Sequence, residues 1–545
     1  GACMRIFDAL VDAPELKMIL VRHEQGATHM ADGYARATGK TGVVLVTSGP
    51  GATNTVTGIL TAHMDSVPLV VLTGQTITPN LGKDAFQEAD VFGVTMPVVK
   101  HSYLVRDVKD LSRIIKEAFH LASSGRPGPV LVDLPKDVVS EEWNEDFSAE
   151  LDLPGYQVQS SGNSSSITKV AELLAKSKRP LLYVGAGTVI SGAAKQVLKL
   201  AEKIQAPVTT TLLGKGGFSE RHPLSVGMLG MHGTAYANKT VVDCDLIMAI
   251  GARWDDRITG KVSEFCTNAI KIHIDIDPAE FGKIIQPDIS VNGDVAAVLN
   301  ELLPQVKKSS TKDWLKKIEA WKKKYPLKYP KRGGLRAQHV LAELDRLTES
   351  KAVISTDVGQ HQMWAAQFCK SIRERQWLSS GGAGTMGYGF PAAIGAQLGN
   401  PKEVVVAVVG DGGFQMTMPE LATAAIHKLP IKIVIINNSY LGMVRQWQQL
   451  FFDNRESGVK MEGNPDFVKI GEAYGIKGFH LRRAGDVTKV LKKALAYNDG
   501  PCIIEAEVAQ ADNVFPMIPA GAAVSEMLID EPPATMKLKK PVGST

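Results

Sequence analysis

The sequence predicts an α/β protein built from three doubly wound parallel-sheet domains. Short runs of β-branched residues alternate with amphipathic helical stretches along nearly the whole chain, which is typical of repeated βαβ units. At 545 residues the chain is also too long for one hydrophobic core. A polar segment and a lysine-rich segment interrupt the alternation and divide it into three blocks.

The first block, residues 1–150, contains four predicted buried strands at residues 18–21, 43–46, 68–72 and 129–132. A helical pattern of small and apolar residues separates the first two strands. A linker rich in Ser, Gly, Asp and Glu then runs to about residue 168.

The second block, residues 166–306, has predicted strands at 180–184, 208–211, 245–250 and 271–275. A lysine-rich connector at 307–332 leads to the third block, residues 335–510. Its predicted strands are at 352–355, 377–379, 404–409, 431–436 and 502–505, and residues 511–545 form a tail.

The composition excludes several classes of protein. With 61 Lys and Arg against 57 Asp and Glu, the net charge is only +4, so we expect no nucleic-acid and no membrane partner. Five scattered cysteines without a CxxC pair argue against a disulfide framework or a zinc site, and indicate a reducing compartment. No apolar run approaches the roughly 18 residues that a membrane span requires.

The most informative motif is Gly410-Asp411-Gly412-Gly413, which follows a predicted buried strand. The next predicted strand ends at Asn438, and neighbouring parallel strands would bring Asp411 and Asn438 together at their carboxyl ends. A carboxylate and an amide oxygen suit Mg²⁺, and the glycines allow a diphosphate to approach the backbone closely. A lone Gly-Asp-Gly is more often a tight turn. Together with an asparagine at the end of the next strand, however, the motif indicates a thiamine diphosphate site.

A rival motif lies nearby. Residues 382–387 match GxGxxG between a strand and a helix, and Asp411 follows at a spacing that fits a dinucleotide fingerprint. We favour the metal motif, because an aspartate that binds a ribose does not require two glycines after it.

Glu24 stands where a predicted strand passes into a helix. Alone it would be read as an acidic residue stabilised by the helix dipole. Thiamine diphosphate, however, needs a dry carboxylate on its aminopyrimidine ring to promote removal of the thiazolium C2 proton, and Glu24 suits that role.

The chain resembles the acetolactate synthases, a family of thiamine-diphosphate enzymes, over nearly its whole length. The segments that carry this resemblance are residues 20–27, 84–88, 124–129, 229–233, 254–257, 273–277, 358–364, 410–413 and 440–447. The resemblance implies pyrimidine-binding, central FAD-binding Rossmann-like and diphosphate-binding domains in that order, with the family's first strand missing from the first domain.

The resemblance also implies roles for single residues. It makes Glu24, Gln87 and Lys100 catalytic, and Asp411, Asn438 and the Tyr440 carbonyl the metal ligands. The thiamine diphosphate site would comprise Glu24, Val358, Gly359, Gln360, His361, Gly384, Met386, Asp411, Gly412, Gly413, Asn438, Gly442 and Met443. The substrate pocket would be lined by Phe86, Gln87, Lys100, Met443 and Trp447. Taken alone, Trp447 would more often simply pack beneath a loop.

A structural FAD is implied for the central domain. Its contacts would be Arg126, Gly185, Ala186, Gly187, Thr210, Leu212, Leu213, Leu229, Gly230, Met231, His232, Gly251, Arg253, Asp255, Arg257, Asp275, Ile276, Asp294 and Val295. Alone, the 185–187 turn is a weak phosphate loop because the third glycine of the fingerprint is missing. A lone His232 would more often be a buried core histidine.

The expected reaction is decarboxylation of pyruvate on thiamine diphosphate and condensation of the hydroxyethyl carbanion with pyruvate or 2-oxobutyrate, in branched-chain amino-acid biosynthesis. The expected partners are 2-oxo acids, further copies of the chain as a homodimer or tetramer, and a small regulatory subunit. The location would be cytoplasmic in a bacterium, with an organelle not excluded. The alternatives are a pyruvate oxidase, a glyoxylate carboligase (disfavoured by Glu24), a dinucleotide-dependent oxidoreductase and a non-catalytic flavin- or nucleotide-binding regulatory protein.

Overall fold

The computed structural model of the chain describes residues 1–143, 151–533 and 538. Three sheets of four, six and six strands follow one another along the chain, and all neighbouring strands are parallel. Helices pack against each sheet, which confirms the predicted fold class. The predicted end of the first domain at residue 150 and most of the tail beyond residue 533 lie outside the described residues. Among the described residues, no helix is both long enough and apolar enough to cross a bilayer.

The first domain has a four-stranded sheet in the order β1-β2-β4-β3. Its strands are β1 Gly42–Val46, β2 Leu69–Gln75, β3 His101–Leu104 and β4 Pro129–Pro135. Its helices are α1 Met4–Val11, α2 Glu24–Thr38, α3 Pro50–Thr53, α4 Val56–Asp65, α5 Val91–Thr95 and α6 Val108–Ser123. Hydrophobic side chains cover both faces of the central strands β2 and β4, which are buried along almost their whole length.

The strand predicted at residues 18–21 is wrong. These residues have no regular secondary structure, and the side chain of Leu20 is 68% exposed. The chain that follows is bound by the third domain instead, because the buried carboxylate of Glu420 accepts the backbone N–H groups of Arg22 and His23 at 3.0–3.2 Å. A short apolar run is therefore not sufficient evidence for a strand when another domain binds the adjoining backbone.

The second domain has the strand order β10-β9-β8-β5-β6-β7. Its strands are β5 Pro180–Val184, β6 Val208–Thr210, β7 Ser225–Met228, β8 Leu246–Ile250, β9 Ile270–Asp275 and β10 Ile289–Asn292. Its helices are α7 Ser164–Lys176, α8 Ala186–Ser191, α9 Ala194–Ile204, α10 Ala235–Asp243, α11 Asp256–Thr259 and α12 Val295–Gln305. The connector contains α13 Lys312–Lys324. The order reverses between β5 and β8, which makes that crevice the topological switch point where such folds bind ligands.

The third domain has the strand order β12-β11-β13-β14-β16-β15, which reverses between β11 and β13. Its strands are β11 Val353–Thr356, β12 Trp377–Ser379, β13 Val405–Gly410, β14 Lys432–Asn437, β15 Lys477–Leu481 and β16 Cys502–Glu507. Its helices are α14 Ala337–Leu347, α15 Gln360–Phe368, α16 Gly389–Gly399, α17 Asp411–Thr417, α18 Leu421–Ile426, α19 Gly442–Phe451, α20 Phe467–Ala473 and α21 Val487–Ala496.

The first and third domains meet along helices α2 and α16, whose backbones are in contact. A β-carbon at Gly33 would lie 2.1 Å from the carbonyl oxygen of Ala392, and one at Gly395 would lie 1.8 Å from that of Met30. Only glycine permits so close a crossing. The position of α2, which begins at Glu24, is thus set by the third domain of the same chain.

Candidate active site

A cavity of about 760 Å³ opens at the carboxyl ends of the strands in the second and third sheets. It reaches both switch points, and residues 64–66 and 125–127 of the first domain complete its wall. Its size is suited to cofactors and small ligands.

Three helices in the third domain point their N-termini into this cavity. They are α15, α17 and α19, and the residues at their N-caps are Gly359, Gly410 and Leu441. None of the three has a side-chain cap, so the first backbone N–H groups and the positive ends of three helix dipoles remain available to a ligand. Such a convergence is a binding site for a multiply charged anion, and it fits a diphosphate.

Asp411 and Asn438 lie in this wall, as their strands predict. Strands β13 and β14 pair in parallel with Gly410 opposite Ile436, so both side chains emerge at one sheet edge. Burial raises the pKa of the Asp411 carboxyl to about 6, and Asn464 donates a hydrogen bond of 2.6 Å to its Oδ2. The amide oxygen of Asn438 accepts the N–H of Tyr440 at 3.1 Å. This pair of oxygen donors beside an anion site has the chemistry of a Mg²⁺ site.

His361 occupies the first turn of α15 in the same wall. Its ring is buried, its Nε2 has no hydrogen-bond partner, and burial lowers its pKa to about 3, so the imidazole is neutral. The ring packs against Gly410, where a β-carbon would lie 2.8 Å from it. An unpartnered polar atom at this depth is costly, and a bound diphosphate would satisfy it.

Asp357, which no sequence motif indicated, lies buried behind the cavity wall and supports it. Its buried carboxylate accepts the N–H groups of Val358, Gly387 and Gly389 at 2.8–3.1 Å, and burial raises its pKa to about 6. It therefore holds the loop after β11 against the loop that carries Met386. The position of an aspartate directly after a buried strand was the available signal in the sequence.

In the rival dinucleotide motif, backbone N–H groups donate to carboxylates of the chain itself. The backbone N–H groups of Gly381 and Gly382 are bound by the Asp65 carboxylate at 2.7–3.0 Å, and that of Gly387 by Asp357. The Gly381 and Gly382 donors serve the packing of the first domain on the third, and the Gly387 donor binds within the third domain. The motif therefore does not present them to a pyrophosphate.

The predicted diphosphate and metal residues lie together. Of the predicted thiamine diphosphate, metal and substrate residues, those that line the cavity are Val358, Gly359, Gln360, His361, Gly384, Met386, Asp411, Gly412, Gly413, Asn438, Tyr440, Gly442, Met443 and Trp447. The Gln360 side chain braces Asn438 by accepting a hydrogen bond of 3.3 Å from its Nδ2. Trp447 packs its ring against Phe451 at a centroid distance of 5.3 Å.

The second-domain half of the cavity surrounds the β5–β8 switch point. A β-carbon at Gly185 would lie 2.1 Å from the carbonyl oxygen of Gly251, and one at Gly187 would lie 2.7 Å from the Gly251 Cα. These glycines allow the two strand ends to touch, and they leave the start of α8 without a side-chain cap. Two N–H groups of this turn already have partners, because those of Gly187 and Thr188 donate to the carbonyls of Gly251 and Gly185 at 3.0 and 3.2 Å. The turn is thus mainly a packing feature beside the cavity.

Most of the predicted flavin residues line this half. The exceptions are Thr210 and Gly230, which lie behind the lining. Both ring nitrogens of the buried His232 lack a hydrogen-bond partner, and burial lowers its pKa to about 4. Arg126 is held by Ser66, Asp277 and Glu280 at 2.6–3.0 Å, so it ties the first domain to the second at the edge of the cavity.

The residues of the first domain that were predicted to bind thiamine diphosphate or substrate are not part of this cavity. Glu24 begins α2 and accepts a hydrogen bond of 3.0 Å from Asn54. Gln87 has a positive φ of 57° and packs against Gly49 in the same region. The neighbouring side chain of Phe86 is 89% exposed. These residues form a separate surface at the carboxyl edge of the first sheet.

Lys100 lies elsewhere. Its backbone pairs with Pro129 at the amino end of β4, and its amino group donates to the carbonyls of Leu121 and Ser124 and to the hydroxyl of Tyr156. The structure therefore does not bring it to Glu24. The lysine that follows the carboxyl end of β4 is Lys136, whose side chain is exposed.

The comparison with protein families matches all three domains. The N-terminal TPP binding domain of thiamine pyrophosphate enzymes matches residues 1–94, the central domain matches 167–302, and the C-terminal TPP binding domain matches 357–506. An acetolactate synthase large subunit of Porphyra purpurea is 50% identical over 97% of this chain and 91% of its own length. The chain belongs to the acetolactate synthase large subunits of the thiamine pyrophosphate enzyme family.

The relatives extend across distant organisms. The acetolactate synthase large subunit of Parasynechococcus marenigrum is 47% identical over 97% of this chain and 87% of its own length. The acetolactate synthase of Mycobacterium bovis is 45% identical over the same shares of the two chains. The similarity therefore includes all three sheets and both halves of the cavity.

Proposed function

We propose that the chain decarboxylates pyruvate and joins the two-carbon unit that remains to a second 2-oxo acid, giving 2-acetolactate or 2-aceto-2-hydroxybutyrate. Thiamine diphosphate, when bound, supplies the carbon nucleophile and stabilises the negative charge left by loss of carbon dioxide. The observation that carries this proposal is the convergence of three uncapped helix N-termini with Asp411 and Asn438 in a chain of this family.

The residues present fit a magnesium diphosphate. The N–H groups at the starts of α15, α17 and α19 would hold the phosphate oxygens, and the neutral His361 would pair with one of them. Asp411, Asn438 and the Tyr440 carbonyl would hold Mg²⁺, since this ion prefers oxygen ligands and retains phosphate oxygens in its remaining positions.

The proposed role of Glu24 is to hold the aminopyrimidine ring and to share a proton with it. Such a carboxylate works best where water is excluded. Met386, Met443 and Trp447 would provide apolar walls beside the reacting carbon. Glu24 and Gln87 lie on another surface from the cavity of their own chain, so we propose that the site is completed between two chains and that a homodimer is the smallest active unit.

FAD is the cofactor we propose for the second-domain half of the cavity. The glycine turn at the switch point leaves room for its pyrophosphate, and His232 offers unpartnered ring nitrogens in a buried wall. By family resemblance this flavin is structural. The relatives are named large subunits, and we propose a small regulatory subunit as a further partner.

The experiment supplies the purified chain with pyruvate, thiamine diphosphate, Mg²⁺ and FAD, and quantifies 2-acetolactate. Asp411→Ala should abolish both the product and the magnesium-dependent binding of thiamine diphosphate in calorimetric titration. Asp499→Ala, which alters an exposed aspartate of the same domain, is the matched control. Unchanged cofactor affinity in Asp411→Ala would show that the metal lies elsewhere.

A pyruvate oxidase is the second candidate, because it would use the same two cofactors. The same assay separates the two functions. We expect acetolactate without net reduction of the flavin, whereas stoichiometric flavin bleaching with acetate as product would identify an oxidase.

A further inference from the structure

A second cluster of ligand-type side chains lies beside the proposed cofactor site and has no part in it. It consists of Asp466, His480 and Glu505, and one potential ligand atom from each residue lies within 4.8 Å of the others. His480 and Glu505 are direct neighbours on the parallel strands β15 and β16, and Asp466 is the N-cap of α20, which packs on those strands. Three elements of the third domain thus bring these groups together.

One oxygen of the Glu505 carboxylate has no hydrogen-bond partner within the described part of the chain. Its side chain is 5% exposed, and its Oε1 accepts a hydrogen bond of 2.9 Å from Asn437. Its Oε2 is buried, has no hydrogen-bond partner and lies 3.5 Å from His480 Nδ1. A buried carboxylate oxygen without a partner is costly, and a cation would remove that cost.

The positions of the three groups suit one small cation. His480 Nε2 lies 3.7 Å from Asp466 Oδ1, while its other ring nitrogen, Nδ1, faces Glu505. One imidazole gives a single nitrogen to an ion, and one ligand atom of each residue lies within 4.8 Å of the other two. Ligand atoms around a tetrahedral zinc ion are about 3.3 Å apart, so the ring and the carboxylates must rotate to close on the ion. The cluster borders a second cavity of about 600 Å³, which gives an ion a route from solvent. Asp466 and Glu505 lie in the wall of that cavity.

We propose that Asp466, His480 and Glu505 bind one divalent transition-metal ion of the Zn²⁺ class. An imidazole nitrogen with two carboxylate oxygens favours such an ion over Mg²⁺, which prefers oxygen ligands alone. The bound ion would fix the backbone at Asp466, and hence at Asn464, which donates to Asp411. This site is distinct from the proposed magnesium site and does not depend on the proposed reaction.

Equilibrium dialysis tests the proposal with Zn²⁺ as the probe. The full-length chain, stripped of metal and without thiamine diphosphate, is dialysed against low zinc in excess magnesium, and the metal content is measured. We expect one zinc per chain, with its affinity lowered at least about tenfold in His480→Gln and in Glu505→Gln, because loss of an outer-shell partner alone costs 10–100-fold. The matched control is Glu507→Gln on the same strand, whose carboxylate pairs with Arg482 instead.

X-ray absorption at the zinc edge provides a readout independent of activity. The wild-type chain should give the outer-shell scattering of one imidazole, and His480→Gln should lose it. Equal zinc retention and unchanged spectra in His480→Gln would overturn the proposal. Absence of zinc binding in the wild type would overturn it as well. If Glu505→Gln fails to fold, the zinc affinity of His480→Gln still tests the proposal, because the His480 side chain is partly exposed.

Discussion

At the scale of single residues, the buried carboxylates of this chain divide into ligand groups and structural groups. Asp411 faces the cavity, whereas the carboxylates of Asp357 and Asp133 accept hydrogen bonds from other groups of the protein. The sequence motif identified Asp411 because glycines surround it. For Asp357 the only sign was its position directly after a buried strand, because two of its three partners are backbone N–H groups about 30 residues further along the chain.

Asp133 should make stability depend on pH. Its buried carboxylate accepts hydrogen bonds from Thr73 and Gln75 at 2.7–2.9 Å, yet burial raises its pKa to about 6. The pKa of Asp133 is higher in the folded chain than in the unfolded chain. The contribution of Asp133 to stability is therefore greatest at low pH and is lost as pH rises through about 6. Between pH 5 and pH 7 the free energy of unfolding of the wild type should fall by about 1.4 kcal/mol relative to that of Asp133→Asn. This value follows because a shift of one pKa unit corresponds to roughly 1.4 kcal/mol.

Urea denaturation at the two pH values measures this difference. Asp8→Asn, at an exposed position in α1 of the same domain, should retain the wild-type dependence on pH. Parallel pH profiles for the wild type and Asp133→Asn would show that the carboxylate is not the cause.

Trp447 should influence the choice of the second 2-oxo acid. Its ring lines the cavity beside Met443, and pyruvate and 2-oxobutyrate differ by one methylene. A hydrophobic pocket separates such a pair by about 1–3 kcal/mol. Trp447→Leu should therefore erase most of any preference for 2-oxobutyrate and keep pyruvate condensation within about tenfold, since no proton-transfer group is removed. Competition between both acceptors measures this, and a wild-type product ratio would exclude Trp447 from acceptor selection.

At the scale of elements, the central strands could be predicted from the sequence and several edge strands could not. β2, β4, β5, β8, β13 and β14 are apolar and buried on both faces, so their runs of Val, Ile and Leu are unmistakable. The four missed strands, β3, β7, β10 and β15, all lie at sheet edges and consist mostly of partly or fully exposed residues with few buried ones. Short half-exposed strands do not stand out from loops in sequence.

The α2–α16 crossing should tolerate no side chain at its centre. In Gly33→Ala the new β-carbon would lie 2.1 Å from a backbone oxygen, so the two helices must separate. We expect a loss of about 1–3 kcal/mol in unfolding free energy, as for other overpacked contacts. Thermal or urea denaturation measures it, with Gly485→Ala as control because no atom lies within 4 Å of its β-carbon position. Equal stability of the two variants would show that the helices separate without cost.

At the scale of the whole molecule, the third-domain residues that the motifs single out lie in one cavity, and we propose that a second chain completes the site. The predicted third-domain residues line one cavity because adjacent strands deliver them to one sheet edge. Glu24, Gln87 and Phe86 lie on a different surface, and Lys100 lies at the opposite edge of its sheet. Linear motifs carry no information on which copy of a domain faces which, so they could not predict the pairing between chains that we propose for Glu24 and Asp411.

Subunit mixing tests the central claim, that Glu24 of one chain and Asp411 of another form one active site. Glu24→Gln alone should lower acetolactate formation by at least about 10²-fold, as expected for loss of a positioned proton-transfer group, and Asp411→Ala alone should be inactive. When equal amounts of the two variants are unfolded and refolded together, half of the dimers should be mixed. Each mixed dimer should contain one intact site, which restores about one quarter of wild-type activity. Activity that stays at the level of the separate variants, with mixed dimers demonstrated by mass spectrometry, would contradict the account.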